Sequence, residues 1–206
     1  MITSREGEVP VEPLAIDGKG GSAGASPSRH IASGCTLLPR MRILGIDPGL
    51  QLTGYGVVDY APRKPKLIDG GVIRLNAKTS IPHRLVELEA ELDSLIQEHK
   101  PEICAVEQLY SHYKHPRTAI LMGHARGVIL LVATRNGIRV EQYAANRIKQ
   151  SLTGHGHAGK GQMQRAIQSV WNLKEPPEPP DVADALAVAL CCGQAISTSS
   201  IRATAT

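Results

Sequence analysis

The amino-acid sequence predicts an α/β domain built on a mixed five-stranded sheet flanked by helices. Apolar residues make up 42% of the 206 residues, which is enough for a substantial core. Three short apolar segments with strand character come first, and further strand-like segments then alternate with segments of helical periodicity. A mixture of consecutive strands and helix–strand alternation is typical of a sheet that is covered by helices.

Three strands are predicted between residues 41 and 75. The segment "MRILGID" (41–47) is a short apolar strand that ends in an acid. Thr53–Ala61 and Lys66–Leu75 have the same character, and the Pro-containing stretch "PRKP" joins them as a turn. Because short connections join antiparallel strands, these three segments predict an antiparallel meander.

The later elements alternate helix and strand and then end in helices. Leu85, Leu88, Leu92 and Leu95 recur at helical spacing in the first of these helices. The long second helix is expected to end at Asn136-Gly137, since Gly is a common helix stop signal. The predicted helices are Pro82–His99, Arg117–Asn136, Ala145–Leu152, Lys160–Leu173 and Asp181–Cys191, and the two further strands are Glu102–Leu109 and Ile138–Ala144.

Residues 1–40 differ in composition from the rest of the chain. They are rich in Gly, Ser, Ala and Pro, carry no net charge and show no strand or helix periodicity. We expect a disordered extension or one that arises from an upstream start codon, with Met41 as the alternative start. The domain would then span residues 41–196, followed by a flexible tail, 197–206. The net charge of +4 falls on residues 41–206, which is compatible with nucleic acid and with many other enzymes.

Cysteine usage and hydropathy indicate a cytoplasmic protein with no membrane contact. None of the four cysteines forms a C-x-x-C pair, and the vicinal Cys191 and Cys192 are poorly placed for a disulfide. No basic start followed by an apolar segment predicts a signal peptide. No continuous stretch approaches the ~20 apolar residues of a membrane span.

The stretch "TGHGHAGKGQ" raises the question of an NTPase. Gly154–Lys160 fits the spacing G-x-x-x-x-G-K. A P-loop, however, follows a strand and has Ser or Thr after its lysine, whereas Gly161 follows here and the preceding residues are helix-like. We interpret the stretch as a loop that contacts phosphates through backbone N–H groups and lysine charge, or as a solvated loop without function. His155 and His157 form only a weak metal-ligand set.

Four carboxylates occupy distinctive positions in the predicted fold. Asp47 ends the first strand, and Glu107 falls within the apolar fourth strand. Asp181 and Asp184 open the last helix, where positions three apart share a face. Since the rest of that helix is apolar and should pack on the sheet, both acids would lie over the strand ends that carry Asp47 and Glu107. Together they predict a site for Mg²⁺ or Mn²⁺ that can hold two ions.

Each acid also has an ordinary structural explanation. Asp181 could be a helix N-cap, which contributes ~1 kcal/mol, and Asp47 could simply end a strand before a Pro-Gly turn. Glu107 is harder to explain, because a carboxylate within an apolar strand is costly unless it is paired or binds a metal.

The chain resembles the RuvC family of bacterial Holliday-junction resolvases. The resemblance runs from about Met41 to Ala195 and is carried by four stretches in the family's order. These stretches are "MRILGIDPGLQLTGYGVVD", "AVEQLYSHYKHPRTAILMGHARGVILLVA", "VEQYAANRIKQSLTGHGHAGKGQMQ" and "PPDVADALAVAL". The motifs D-P-G-x-x-x-T-G-Y-G and D-x-A-D-A-L-A are much more specific as a pair than either is alone.

The resemblance implies a ribonuclease-H-like fold and a catalytic, metal-binding quartet formed by the four acids, with two Mg²⁺ ions per subunit. It implies that Tyr110 contacts bases at the junction and that Lys149 and Lys160 hold the DNA backbone. The stretch "YSHYKHPRTA" departs from the family's usual pattern after the glutamate, which affects base recognition rather than the chemistry. Family members act on nucleoid DNA with the RuvA–RuvB branch-migration complex.

The resemblance favours a homodimer, and the long helix 117–136 is compatible with one. It is apolar nearly all round, so a face that does not cover the sheet needs a second cover. That cover could be the chain's own helices or a second copy, and Gly123 and Gly127 would allow close approach of another helix. The apolar residues concerned are Ile120, Leu121, Met122, Val128, Ile129, Leu130, Leu131 and Val132.

The sequence therefore predicts a Mg²⁺-dependent endonuclease that acts as a dimer on four-way DNA junctions in recombination and repair. Two alternatives remain at this level. One is a kinase or ATPase of the actin-like superfamily, whose phosphate loops have a similar acid–glycine turn, although those proteins need two such domains. The other is a junction-binding protein without catalysis.

Overall fold

Five strands form one mixed sheet in the order β3-β2-β1-β4-β5 in the computed structural model, which describes residues 40–62, 64–109 and 116–204. β1 pairs antiparallel with β2 and parallel with β4, and the outer pairs are β2–β3 antiparallel and β4–β5 parallel. The predicted meander and mixed sheet are both confirmed. The strands are β1 Met41–Asp47, β2 Leu52–Tyr60, β3 Lys66–Arg74, β4 Ile103–Glu107 and β5 Arg139–Tyr143.

The described helices lie close to their predicted positions, with one exception at the C-terminal end. Left-handed residues at Lys100, Gly154 and Asn172 end the first, third and fourth helices. The helices are α1 Ile81–His99, α2 Pro116–Arg135, α3 Ala145–Thr153, α4 Lys160–Trp171 and α5 Pro180–Thr204.

The two faces of the sheet carry different helical layers. Ile43 in β1 and Ile103 in β4 point to the cluster that contains α5, α3 and α4. Leu44 and Cys104, one position along each strand, point to the opposite cluster with α1 and α2. Successive side chains alternate between the faces of a strand. Asp47 and Glu107 lie four positions after Ile43 and Ile103, so they belong to the same face, which α5 covers.

Glycines on β1 and β2 allow α5 to lie unusually close to the sheet. A Cβ atom at Gly45 would fall 2.2 Å from the backbone oxygen of Ala185. A Cβ atom at Gly54 would fall 2.2 Å from the backbone oxygen of Asp181. The absence of side chains at these positions therefore sets the height of α5 above the strand ends.

The last helix is longer than predicted. It was expected to end near Cys191 and to be followed by a flexible tail from 197, but α5 continues to Thr204, so residues 197–204 are helical. Ala195 and Ile196 pack against the core cluster, which extends the helix beyond the sheet. The hydroxyls of Ser199 and Ser200 donate to backbone oxygens four residues earlier, which satisfies these polar side chains within the helix.

Two helices in the described part of the chain are long and apolar enough to cross a membrane by length and composition alone, over Arg117–Arg135 and Pro180–Ser200. They were not predicted from the sequence, because polar residues interrupt their apolar stretches. The second is 67% buried, as expected for the helix that covers the sheet. The first is only 22% buried, so α2 leaves apolar surface uncovered.

The close packing of α5 can be tested by adding one methyl group. We expect Gly45→Ala to lower the free energy of unfolding by about 3 kcal/mol, the upper end of overpacking costs, because the new Cβ meets backbone atoms that cannot move aside. Urea unfolding followed by circular dichroism measures this loss.

Gly161→Ala is the matched control. The nearest heavy atom to its added Cβ is the flexible Nη1 of Arg165 at 3.5 Å, and Ala is a better helix former than Gly. Equal stability of the two variants would contradict the proposed packing constraint.

Candidate active site

Asp47 lies at the end of β1, where the sheet meets the start of α5. It pairs in register with Gly54 of β2 and is partly buried. Burial, and then the nearby charges of Glu107, Asp184 and Asp181, raise the pKa of Asp47 to about 8, while Lys160 acts in the opposite direction. Both the loss of solvent and the neighbouring negative charge therefore oppose ionisation of this carboxyl group.

Glu107 is the last residue of β4, on the strand next to β1. The final parallel pair between these strands is Ile46 with Val106, so Asp47 and Glu107 occupy the next position on neighbouring strands. Burial raises the pKa of Glu107, and Asp184 raises it further, whereas Lys149 lowers it. Glu107, whose carboxylate is unfavourable within an apolar strand, therefore lies at the edge of the acidic cluster.

Asp181 and Asp184 bring α5 into the same place. The backbone of Asp181 lies directly over Gly54, the register partner of Asp47. Both acids are partly exposed on one side of α5, while Val182 and Ala183 between them are buried. Burial raises the pKa of Asp184, and Asp181 raises it further, while Lys160 and Lys149 lower it. The structure thus brings all four predicted acids together from β1, β4 and α5.

The chemistry of these side chains fits a hard divalent cation. Four carboxylates supply only oxygen donors, the set that Mg²⁺ and Mn²⁺ prefer. Burial, followed by neighbouring carboxylates, raises the pKa values of Asp47, Glu107 and Asp184. Among the described residues, no group of three or more His, Cys, Asp or Glu side chains lies close enough together to hold a metal ion in this arrangement.

Two lysines compensate part of this negative charge. Lys149 lies in α3 and Lys160 is the first residue of α4. The side-chain oxygen of Gln162 accepts a hydrogen bond of 2.8 Å from the Gly159 N–H, which fixes the start of α4. Both lysines were predicted to hold the DNA backbone. Their proximity to the acids was not predicted, because no local feature of the sequence indicates it.

Comparisons with known proteins agree with this arrangement. A family model described as "Crossover junction endodeoxyribonuclease RuvC" matches residues 43–192. The chain belongs to the RuvC family. A family member from Rhodopirellula baltica is 48% identical over 149 residues, which cover 72% of this chain and 84% of the relative. Another from Caldicellulosiruptor saccharolyticus is 43% identical over 162 residues, covering 78% and 96%.

Solved structures of RuvC proteins share the fold. Thermus thermophilus RuvC in complex with Holliday junction substrate superposes with a TM-score of 0.73 at 32% identity, covering 77% of this chain and 96% of that chain. The yeast mitochondrial Holliday junction resolvase Ydc2, at 15% identity, has a TM-score of 0.54 with coverage of 78% and 82%, and shows the fold alone. The predicted ribonuclease-H-like fold is confirmed.

One residue assigned from the RuvC resemblance cannot be placed. Tyr110 lies in 110–115, outside the described residues, so its contact with bases stays a prediction. The glycine loop between α3 and α4 connects two helices, in agreement with the rejection of a P-loop, which follows a strand.

The pKa of Asp47 gives a testable dependence of stability on pH. Because its pKa in the folded protein is raised from the usual value to about 8, the folded state holds this proton more tightly than the unfolded chain does. The resulting stabilisation is complete below about pH 4 and is lost as the pH rises through about 8. In EDTA, we expect Asp47→Asn to raise the Tm at about pH 9 by several degrees, since ~1 kcal/mol corresponds to ~2–4 °C in a protein of this size.

The gain in Tm should shrink as the pH approaches about 4, where Asp47 is protonated in both states. Glu91→Gln, which changes an exposed carboxylate on α1, serves as the control and should leave the pH dependence unchanged. A pH profile for Asp47→Asn identical to that of the wild type would contradict the electrostatic coupling of the four acids.

Proposed function

We propose that this RuvC-family protein is a divalent-metal-dependent endonuclease that resolves Holliday junctions, cutting one phosphodiester bond per subunit of a homodimer. Hydrolysis would leave 5′-phosphate and 3′-hydroxyl ends. The observation that carries the proposal is the convergence of four acids at the ends of β1 and β4 and the start of α5, where burial and neighbouring carboxylates raise the pKa values of Asp47, Glu107 and Asp184. Such a group of perturbed acids is typical of catalytic sites.

Asp47, Glu107, Asp181 and Asp184 would hold Mg²⁺, with Mn²⁺ as a substitute and two ions per subunit as the proposed number. Bound ions would supply a nucleophilic water and charge stabilisation for the leaving oxygen. Lys160 lies close enough to lower the pKa of Asp47 and Asp184, so its ammonium group can hold a phosphate beside the carboxylates. Lys149, which acts on Glu107 and Asp184, would contact the backbone on the other side.

The uncovered face of α2 supports the homodimer. Ile120 and Leu131 are 61% and 59% exposed, although they are large apolar side chains on a helix. Between them, a Cβ atom added at Gly123 or Gly127 would meet nothing within 4 Å. A second copy related by a two-fold axis would cover this stripe and would match the approximate two-fold symmetry of a four-way junction.

Other partners follow from the family alone. We propose that the protein receives its junctions from the RuvA–RuvB branch-migration complex, on nucleoid DNA in the cytoplasm. Junction affinity should come largely from phosphate contacts and should therefore fall as the salt concentration rises.

Removal of a single carboxylate charge should separate cleavage from binding. We expect Asp47→Asn and Glu107→Gln to slow cleavage of a synthetic four-way junction by at least ~10²-fold, a loss typical of removing a group that stabilises transition-state charge. Junction affinity in EDTA should be retained, because the acids repel rather than attract the DNA backbone. Denaturing gels measure cleavage, and gel-shift titrations measure binding.

Glu91→Gln is the matched control, because it removes an exposed carboxylate far along α1, and it should cleave like the wild type. Cleavage by either active-site variant at the wild-type rate would refute the assignment. Wild-type binding with no cleavage in any divalent ion would instead indicate a junction-binding protein without catalysis.

The proposed dimer interface on α2 can be tested by introducing one charged side chain. We expect Leu131→Lys to weaken dimerisation by at least ~10-fold, which corresponds to ~1.4 kcal/mol, because the interface would then bury an ammonium group without a partner. Sedimentation equilibrium measures the dissociation constant. Val170→Lys on α4 is the control, since Val170 is also an exposed apolar residue, at 42%, but lies on the other side of the sheet. An unchanged dissociation constant for Leu131→Lys would place the interface elsewhere.

A further inference from the structure

The turn that follows Asp47 is tied down on its inner side. The hydroxyl of Thr53, which is fully buried, donates to the backbone oxygen of Gly49 at 2.5 Å and accepts from the Gly49 N–H at 3.3 Å. The backbone oxygen of Gln51 accepts a hydrogen bond of 3.0 Å from the N–H of Leu75, which follows β3. Both ends of the turn are therefore fixed to the neighbouring strands.

Arg84 ties the middle of the same turn to α1. Its side chain is only 6% exposed, and its Nη2 donates to the backbone oxygen of Leu50, which lies 34 positions earlier in the chain. Leu50 is itself buried, at 4% exposure, beneath α1 and α2. The guanidinium group therefore reaches from the first turns of α1 into the loop that begins at Asp47.

A buried arginine at position 84 is energetically unfavourable. Its Nε is buried and makes no hydrogen bond within the described part of the chain. Among the ion pairs of the described residues, none joins this guanidinium to a carboxylate. A buried charge without a counter-ion costs several kcal/mol relative to an apolar side chain of similar size. Fold stability alone would favour Met or Leu here, so the contact with Leu50 calls for another explanation.

The position of Asp47 provides that explanation. Asp47 stands three residues before Leu50, beside Glu107 on the neighbouring strand and close to the start of α5, which carries Asp181 and Asp184. A turn free to shift would let Asp47 move away from them, and the cluster would lose one of its four oxygen ligands. The hydrogen bond from Arg84 opposes that movement, because it fixes the turn to a helix on the opposite face of the sheet.

We propose that Arg84 is a positioning residue for the active site, which acts through the backbone oxygen of Leu50 to hold the turn after Asp47 in the conformation that binds the divalent cation. Thr53 acts in the same way through Gly49. The proposal rests on the metal-dependent function proposed above. Residues that orient a metal ligand typically contribute 10–100-fold to metal affinity or activity.

The test compares Arg84→Met, which keeps the length of the side chain but has no donor, with Arg84→Lys, which keeps one donor group. We expect Arg84→Met to weaken Mn²⁺ binding, measured by isothermal titration calorimetry without DNA, by at least ~10-fold. The Mg²⁺ concentration for half-maximal junction cleavage should rise in parallel. Junction affinity in EDTA should stay within about two-fold of the wild type, and Arg84→Lys should recover part of the Mn²⁺ affinity.

Two further variants keep the result interpretable. Leu95→Ala removes a buried side chain from the same helix about 16 Å away, so it should lower stability by ~2–5 kcal/mol without changing Mn²⁺ affinity. Thr53→Val should weaken Mn²⁺ binding as Arg84→Met does, and Thr53→Ser should restore it. If Arg84→Met fails to fold, Arg84→Lys and the Thr53 pair still decide the question.

Wild-type Mn²⁺ affinity in Arg84→Met or in Thr53→Val would overturn the positioning role. An equal loss of affinity in Leu95→Ala would also overturn it, because the effect would then follow from global stability. A wild-type protein that binds no Mn²⁺ and cleaves junctions in EDTA would overturn the metal-dependent function itself, and the role of Arg84 with it.

Discussion

The repulsion among four partly buried carboxylates is the constraint on which the rest of this structure depends. β1 and β4 bring two of them to adjacent strand ends, and the glycine surface of β1 and β2 lets α5 bring the other two close to the sheet. Lys149 and Lys160 offset only part of the charge. The fold therefore stores unfavourable electrostatic energy at one edge of the sheet, which a bound cation would release.

Most of the architecture could be predicted from local patterns in the sequence. Alternation and short turns identify β1 to β3, and helical periodicity identifies α1, because these signals arise within a few residues of each other. The acidic site could also be predicted from the sequence, since Glu107 is a charged residue within an otherwise apolar strand. The end of α5 could not, because the contacts seen there, the packing of Ala195 and Ile196 on the core and the hydroxyl bonds of Ser199 and Ser200 within the helix, produce no apolar periodicity.

The side chains that surround the acids were harder to predict than the acids themselves. Lys160 follows a glycine loop and Arg84 follows an ordinary helix start, so nothing near either residue in the sequence indicates its partner. Their roles arise from contacts across long separations, as in the hydrogen bond between Arg84 and Leu50, 34 positions apart. Such contacts depend on how helices are placed around the sheet, which composition and periodicity do not determine.

In the homodimer proposed above, the sheet would separate the cleavage site of each subunit from its dimer face. The acidic cluster belongs to the α5 face, whereas the exposed stripe of α2 belongs to the opposite layer. Alterations on one side can therefore leave the other intact, and a mixed assembly of one active and one inactive copy becomes a realistic reagent. Such a hybrid would nick a single strand of a junction, which would capture the half-resolved state and let the order of the two incisions be timed.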